Sequence, residues 1–241
     1  YKSAKKHLFE DQSNNANSNT PVDFLLYGIS AHRTLTVNNK YFNRITDSFD
    51  YFLSEFGSIL HLESVTDEMR FPRYNKSMLI DHLLVREAFC RAVCNRVYKS
   101  ISSIENFSEF SAYLNQRGIK IYLNEHLLVQ RLEKILAYSV FFKKILRKLN
   151  PKLFFFDIYY HDKAMAGILA ARELNIPTIE IQHGVQGYNY IADDKKLNFP
   201  EQGCRLFPYY FWLWDTDSFN AINVWTKNNK IHKPLLGGNP L

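Results

Sequence analysis

Apolar residues along this chain fall into two alternating rhythms. Short continuous runs are separated by longer stretches in which apolar positions recur every three or four residues. The runs at 22–27, 58–65, 153–156, 178–182, 208–214 and 234–236 have the length and composition of buried strands. A shorter strand is expected at 119–123, after Gly118. Between the runs, Phe42, Ile45, Phe49, Phe52, Leu53 and Phe56 place a helix over 41–56, with Gly57 as its C-cap. Residues 77–117 are helical in pattern, broken near 100–106. Residues 124–149 form a strongly amphipathic helix whose last turn gathers Lys143, Lys144, Arg147 and Lys148 against the negative end of the helix dipole. Asn150-Pro151 stops it. A helix over 163–174, with Asp162 as N-cap, turns Ala164, Gly167, Ile168 and Ala171 to one side, where small residues let a helix approach a sheet closely. Asp215 to Asp217 can cap a last helix over 218–228.

Strand, loop, helix and strand thus follow one another twice, over 22–65 and over 151–184. That order specifies parallel βαβ units. The expected fold class is α/β: a Rossmann-like parallel sheet flanked by helices. Residues 1–20, polar and poor in apolar positions, are expected to be a mobile lead-in. Residues 21–236 are expected to form one Rossmann-like domain carrying a helical insertion near 77–149.

Composition narrows the function. The 241 residues are 46% hydrophobic and 15% aromatic, enough for a sizeable core. No window approaches the ~20 apolar residues of a membrane span, and the opening YKSAKKHLFED has no apolar signal-peptide core. Cys90, Cys94 and Cys204 are not spaced as metal ligands and read as reduced cytosolic thiols. The net charge is +6, but the basic residues are dispersed rather than interleaved with exposed aromatics, which argues against a nucleic-acid partner. A phosphate-bearing small substrate or an anionic membrane surface accounts for it better. Walker, nucleophile-elbow and dinucleotide fingerprints are absent. Glu125-His126 is followed by Gln130 where a zinc protease motif needs a second His.

Open parallel sheets bind ligands beyond the carboxyl ends of their strands. Asp157, His161, Gln182 and His183 fall there, joined by His32 and Arg33 after the first strand. Imidazole titrates near neutral pH, so His183 is the candidate general base, or a donor to a sugar or phosphate oxygen. Asp157 can orient His183, bind an acceptor hydroxyl or cap its loop. Gln182 can bond a substrate hydroxyl or pin the turn. Gly184 and Gly187 suit a turn or close backbone approach. Arg33 can clamp a phosphate, with His32 and His161 as further substrate-binding candidates.

The phrase from Pro151 to Gly184, in which an apolar strand, Asp157, a helix, Asn-Ile-Pro-Thr, a strand and Gln182-His183-Gly184 succeed one another, resembles the N-terminal half of GT-B glycosyltransferases. The nearest resemblance is to bacterial surface-polysaccharide transferases and CDP-glycerol-type polyol-phosphate transferases. The resemblance implies one half of a GT-B architecture, with residues 237–241 starting the crossover to a second domain that holds most of the donor site. It implies an inverting, metal-independent enzyme without cofactor. Such an enzyme moves a sugar or polyol phosphate from a nucleotide-activated donor to a cell-surface glycan or lipid-linked glycan, with His183 catalytic. The expected location is the cytoplasm, in peripheral contact with the inner face of the cell membrane, where the basic helix end 141–148 could touch an anionic leaflet. Two alternatives remain: a nucleotide-sugar 2-epimerase of the same architecture, and a non-catalytic module binding a glycan or a partner.

Overall fold

The computed structural model describes residues 21–66, 68–94, 101–119, 124–184 and 200–240. Its centre is a seven-stranded sheet, parallel throughout. In chain order the elements are β1 (Phe24–Ile29), a 3-10 turn (Ser30–His32), the hairpin β2 (Leu35–Val37) and β3 (Lys40–Phe42), α1 (Thr46–Leu53), β4 (Ile59–Ser64) and β5 (Ser77–Leu79). There follow α2 (Asp81–Cys94), α3 (Phe107–Gln116), α4 (Glu125–Leu149), β6 (Leu153–Phe156), α5 (Asp162–Glu173), β7 (Thr178–Ile181), β8 (Tyr210–Leu213), α6 (Thr216–Thr226) and β9 (Lys233–Leu236). The sheet order is β5-β4-β1-β6-β7-β8-β9. The expected α/β class, a Rossmann-like parallel sheet flanked by helices, is the one observed.

The sheet is covered on both faces, which is why its strands read as continuous apolar runs. Along β1 the side chains alternate. Phe24 and Leu26 join Ile45, just before α1, Phe49 and Leu53 from α1 and Phe155 from β6 on one face. Leu25, Tyr27 and Ile29 join Phe142 and Leu146 from α4 and Ile168 from α5 on the other. Each such large apolar side chain contributes about 1.5–3 kcal/mol relative to staying exposed. The small-residue face of α5 lies close against the sheet as expected. A Cβ on Gly167 would meet the Phe156 ring at 3.0 Å.

Several boundaries differ from the sequence pattern. The first strand, expected at 22–27, runs on through Gly28 to Ile29. The helix expected to close at Gly57 stops at Leu53, with Ser54 as its C-cap. The stretch between that strand and that helix contains the 3-10 turn and a hairpin. Asn38 and Asn39 both take positive φ (50° and 59°), the backbone of a tight two-residue hairpin turn. The helix expected at 41–56 begins only at Thr46, because the Asn43 side chain accepts hydrogen bonds from the N–H groups of Ile45 and Thr46 and sets its start. The helical pattern from 77 opens with the short strand β5, which pairs with β4. The strand expected at 119–123 falls largely on residues 120–123, outside the described residues.

Two of the four basic residues at the end of α4 are paired within the protein. Phe141 is buried, Lys143 pairs with Glu173, and Lys144 bonds both oxygens of Glu87 at 2.8 Å. Among the described residues, no helix is long and apolar enough to cross a membrane.

Candidate functional site

From β1 the sheet grows outward to β4 and β5 on one side, and from β6 to β9 on the other. The direction of growth reverses between β1 and β6, and such a reversal opens a crevice at the carboxyl ends of the two strands. Asp157 follows β6 at that point. Its N–H donates to the Tyr27 carbonyl at 3.1 Å. Its carboxylate, fully buried, accepts the Ile29 N–H at 2.8 Å and the His32 Nδ1–H at 2.9 Å through the same oxygen, Oδ2. The other oxygen, Oδ1, is buried without a hydrogen-bond partner. Because a carboxylate only accepts, this contact fixes the tautomer: His32 carries its proton on Nδ1 when neutral and leaves Nε2 basic.

The His183 ring lies beside His32, with centroids 5.6 Å apart. Its Nε2 is 3.1 Å from the Tyr160 hydroxyl, and its Nδ1 stands 3.6 Å from the buried Glu180 carboxylate. Burial lowers the His183 pKa below its ordinary value, and the adjacent His32 adds to the effect. Two imidazoles therefore share the crevice in different states of constraint. One is aligned by a carboxylate and the other is held toward its neutral form. Arg44 joins their loops: its N–H donates to the His32 carbonyl at 3.1 Å, and its Nη2 donates to the His183 carbonyl at 3.2 Å.

The remaining candidates separate. Of the roles open to Asp157, capping the neighbouring loop is seen at the Ile29 N–H, while the imidazole it bonds is His32 rather than His183. Gln182 is 1% exposed and holds the turn: Nε2 donates to the Gly184 carbonyl and the Ser218 hydroxyl, and Oε1 accepts the Trp214 N–H at 2.8 Å. Of the two roles open to it, the pin is the one observed. Arg33 is not a surface clamp. It is 1% exposed, with Nε on Glu63 at 2.8 Å and Nη1 on Asp47 at 2.9 Å and on the Tyr41 carbonyl at 3.0 Å. A buried guanidinium needs such partners, and none of the three was recognisable from the loop around it.

His161, rather than Asp162, is the N-cap of α5. Its Nδ1 accepts the Ala164 N–H, and its Nε2 lies 3.3 Å from the Tyr27 hydroxyl. Burial pulls its pKa down to about 4. Asp162 is paired with Arg131 at 2.6 Å. Gly184 sits where an added Cβ would meet nothing within 4 Å, and Gly187 lies outside the described residues. Tyr160, Glu180 and Arg44 were not anticipated. Glu180 had a usable signal, since a carboxylate inside the apolar run of β7 calls for a partner.

No family model matches the chain, and no curated protein matches it. Among solved structures, it is similar to the UDP-GlcNAc 2-epimerase from Neisseria meningitidis bound to UDP-GlcNAc. Identity there is 15%, with a TM-score of 0.44 over 90% of this chain and 47% of that one. A second UDP-N-acetylglucosamine 2-epimerase aligns at 12% identity and a TM-score of 0.38, over 90% of this chain and 48% of that one. The chain spans about half the length of each.

Proposed function

We propose that this domain carries the acid–base machinery of an enzyme acting on the sugar of a nucleotide-activated donor, with His32 as the proton acceptor and Asp157 as the group that orients it. The observation behind this reading is the Asp157–His32 contact at the strand-order reversal. A carboxylate on Nδ1 leaves Nε2 as the basic nitrogen and stabilises the imidazolium formed when it takes a proton. In this reading the base is His32 rather than His183. His183, kept toward its neutral form, serves as a hydrogen-bond partner for a sugar or phosphate oxygen. The substrate class rests on the resemblance of residues 151–184 to surface-polysaccharide transferases, and the net charge of +6 favours an anionic substrate.

The first reaction compatible with this arrangement is glycosyl or polyol-phosphate transfer, in which the base removes the acceptor hydroxyl proton as that oxygen attacks the anomeric carbon or the phosphorus and the bond to the departing nucleotide breaks. The second is 2-epimerisation of a nucleotide sugar. The second imidazole favours it, because removal and return of a proton uses a donor beside a base, and a neutral imidazole still offers an N–H.

Incubation with UDP- and CDP-activated donors, with and without glycan acceptor, separates the two. Donor consumed only with acceptor identifies transfer, and a new isomer formed without acceptor identifies epimerisation. Replacing His32 by Asn should lower either rate by roughly 10²–10⁴-fold with little change in the thermal midpoint. A His32→Asn protein of full activity overturns the assignment.

A further inference from the structure

The outward side of α1 forms a second site. Asp47, Asp50, Tyr51 and Ser54 recur at helical spacing on one side of this helix. With Phe42, Tyr74 and Asn75 they wall an open cavity of about 440 Å³ that shares no lining residue with the imidazole cluster. Tyr51 is 81% exposed although the opposite side of its helix is core, and Tyr74, also exposed, packs edge-on against Phe42 with centroids 5.0 Å apart. Two aromatic rings are thus accessible at one opening.

The polar wall is incompletely satisfied. Among the described residues, the Asn75 Nδ2 amide is buried without a hydrogen-bond partner. So is Asp47 Oδ1, whose nearest opposite charge is His61 Nδ1 at 4.0 Å. An unmatched buried donor or acceptor has given up water without a replacement partner. Here one of each lies in the same wall, so a ligand group that both donates and accepts would satisfy both.

Charge narrows the ligand. Asp47 is neutralised by Arg33 at 2.9 Å, and Asp50 is bonded to His61 Nε2 at 2.7 Å. An anion would face two carboxylates. An organic cation reaching the open Asp47 oxygen would approach the Arg33 guanidinium bound to the other oxygen of the same carboxylate. A neutral ring with apolar C–H faces and hydroxyl edges meets every requirement: the faces lie on tyrosine, and the hydroxyls reach the amide and the carboxylate.

We propose that this cavity binds a neutral sugar residue, separately from the chemistry assigned to His32. Saturation-transfer NMR with the methyl glycosides of glucose, galactose and N-acetylglucosamine tests it, with UMP and tetramethylammonium as charged comparators. The wild-type chain should show transfer to at least one glycoside. Tyr51→Ala, a change at an exposed helix position, should weaken that binding roughly 3- to 10-fold while leaving the circular dichroism spectrum unchanged. Asn75→Ala should also weaken it, and His32→Asn should not. No glycoside signal in the wild type, an equal signal in Tyr51→Ala, or stronger binding of tetramethylammonium than of any glycoside overturns the proposal. None of these outcomes bears on the His32 assignment.

Discussion

His161 and His232 are each locked in one neutral form by what surrounds them. His161 accepts an N–H at Nδ1. His232 accepts the Cys204 N–H at Nε2 and donates from Nδ1 to the Pro208 carbonyl at 2.6 Å. Burial brings both pKa values down from 6.5 to about 4. In the unfolded chain these rings take up a proton below about pH 6.5, whereas in the folded chain they do so only near 4. The unfolded state therefore binds more protons across that interval, and stability must fall as pH drops through it. Asp47, whose pKa is raised by burial against the opposing pull of Arg33, works in the opposite sense at the acid end. Denaturant midpoints measured from pH 7 to 4.5 should decline, and the decline should be shallower in His161→Asn. That substitution keeps an N-cap acceptor and removes the titration. An unchanged slope in the variant contradicts the account.

At the scale of elements, β1 and α1 meet where Gly28 leaves room for them. A Cβ there would meet Thr46 Cγ2 at 3.0 Å, Asn43 Nδ2 at 3.1 Å and Asp157 Oδ2 at 3.3 Å. Gly28→Ala should therefore destabilise by about 1–3 kcal/mol, as overpacking does. It should also slow turnover by displacing Asp157 from His32. Paired thermal-melt and rate measurements check both effects, and a melt shift without a rate change would detach Gly28 from the site. Long elements were legible because their periodicity is sustained. The helix expected at 124–149 is α4 to within one residue, and β6, α5 and β7 lie close to their expected bounds. Short elements were not, because single side chains decide them. The Asn38-Asn39 turn makes the hairpin, Asn43 delays α1, and three residues paired to β4 make β5. Apolar spacing carries none of these.

Across the whole molecule, the candidate site joins segments far apart in sequence. His32 and Asp157 are 125 positions apart, and their contact depends on β6 pairing with β1 in the register that sets Tyr27 opposite Phe156. The sequence placed three polar residues of the crevice, His32, Asp157 and His183, on one sheet edge, since βαβ order fixes which strand ends coincide. It did not show which imidazole would receive the carboxylate, because strand adjacency and register are settled by packing. Nor did it show that Arg33 faces inward, since Glu63 belongs to a different strand and Asp47 to a helix. Removing one partner of such a buried pair commonly costs 3–5 kcal/mol. Glu63→Gln should lower the melting temperature accordingly, and Arg33 should transmit part of the loss to turnover. Full activity in that variant would show the two are uncoupled. The mooring of Arg33 has one more consequence. The loop that presents His32 is fastened from behind into the body of the domain, so it has no separate way to soften. On warming, the loss of turnover should coincide with the loss of the fold, with no interval in which an intact protein has already gone quiet.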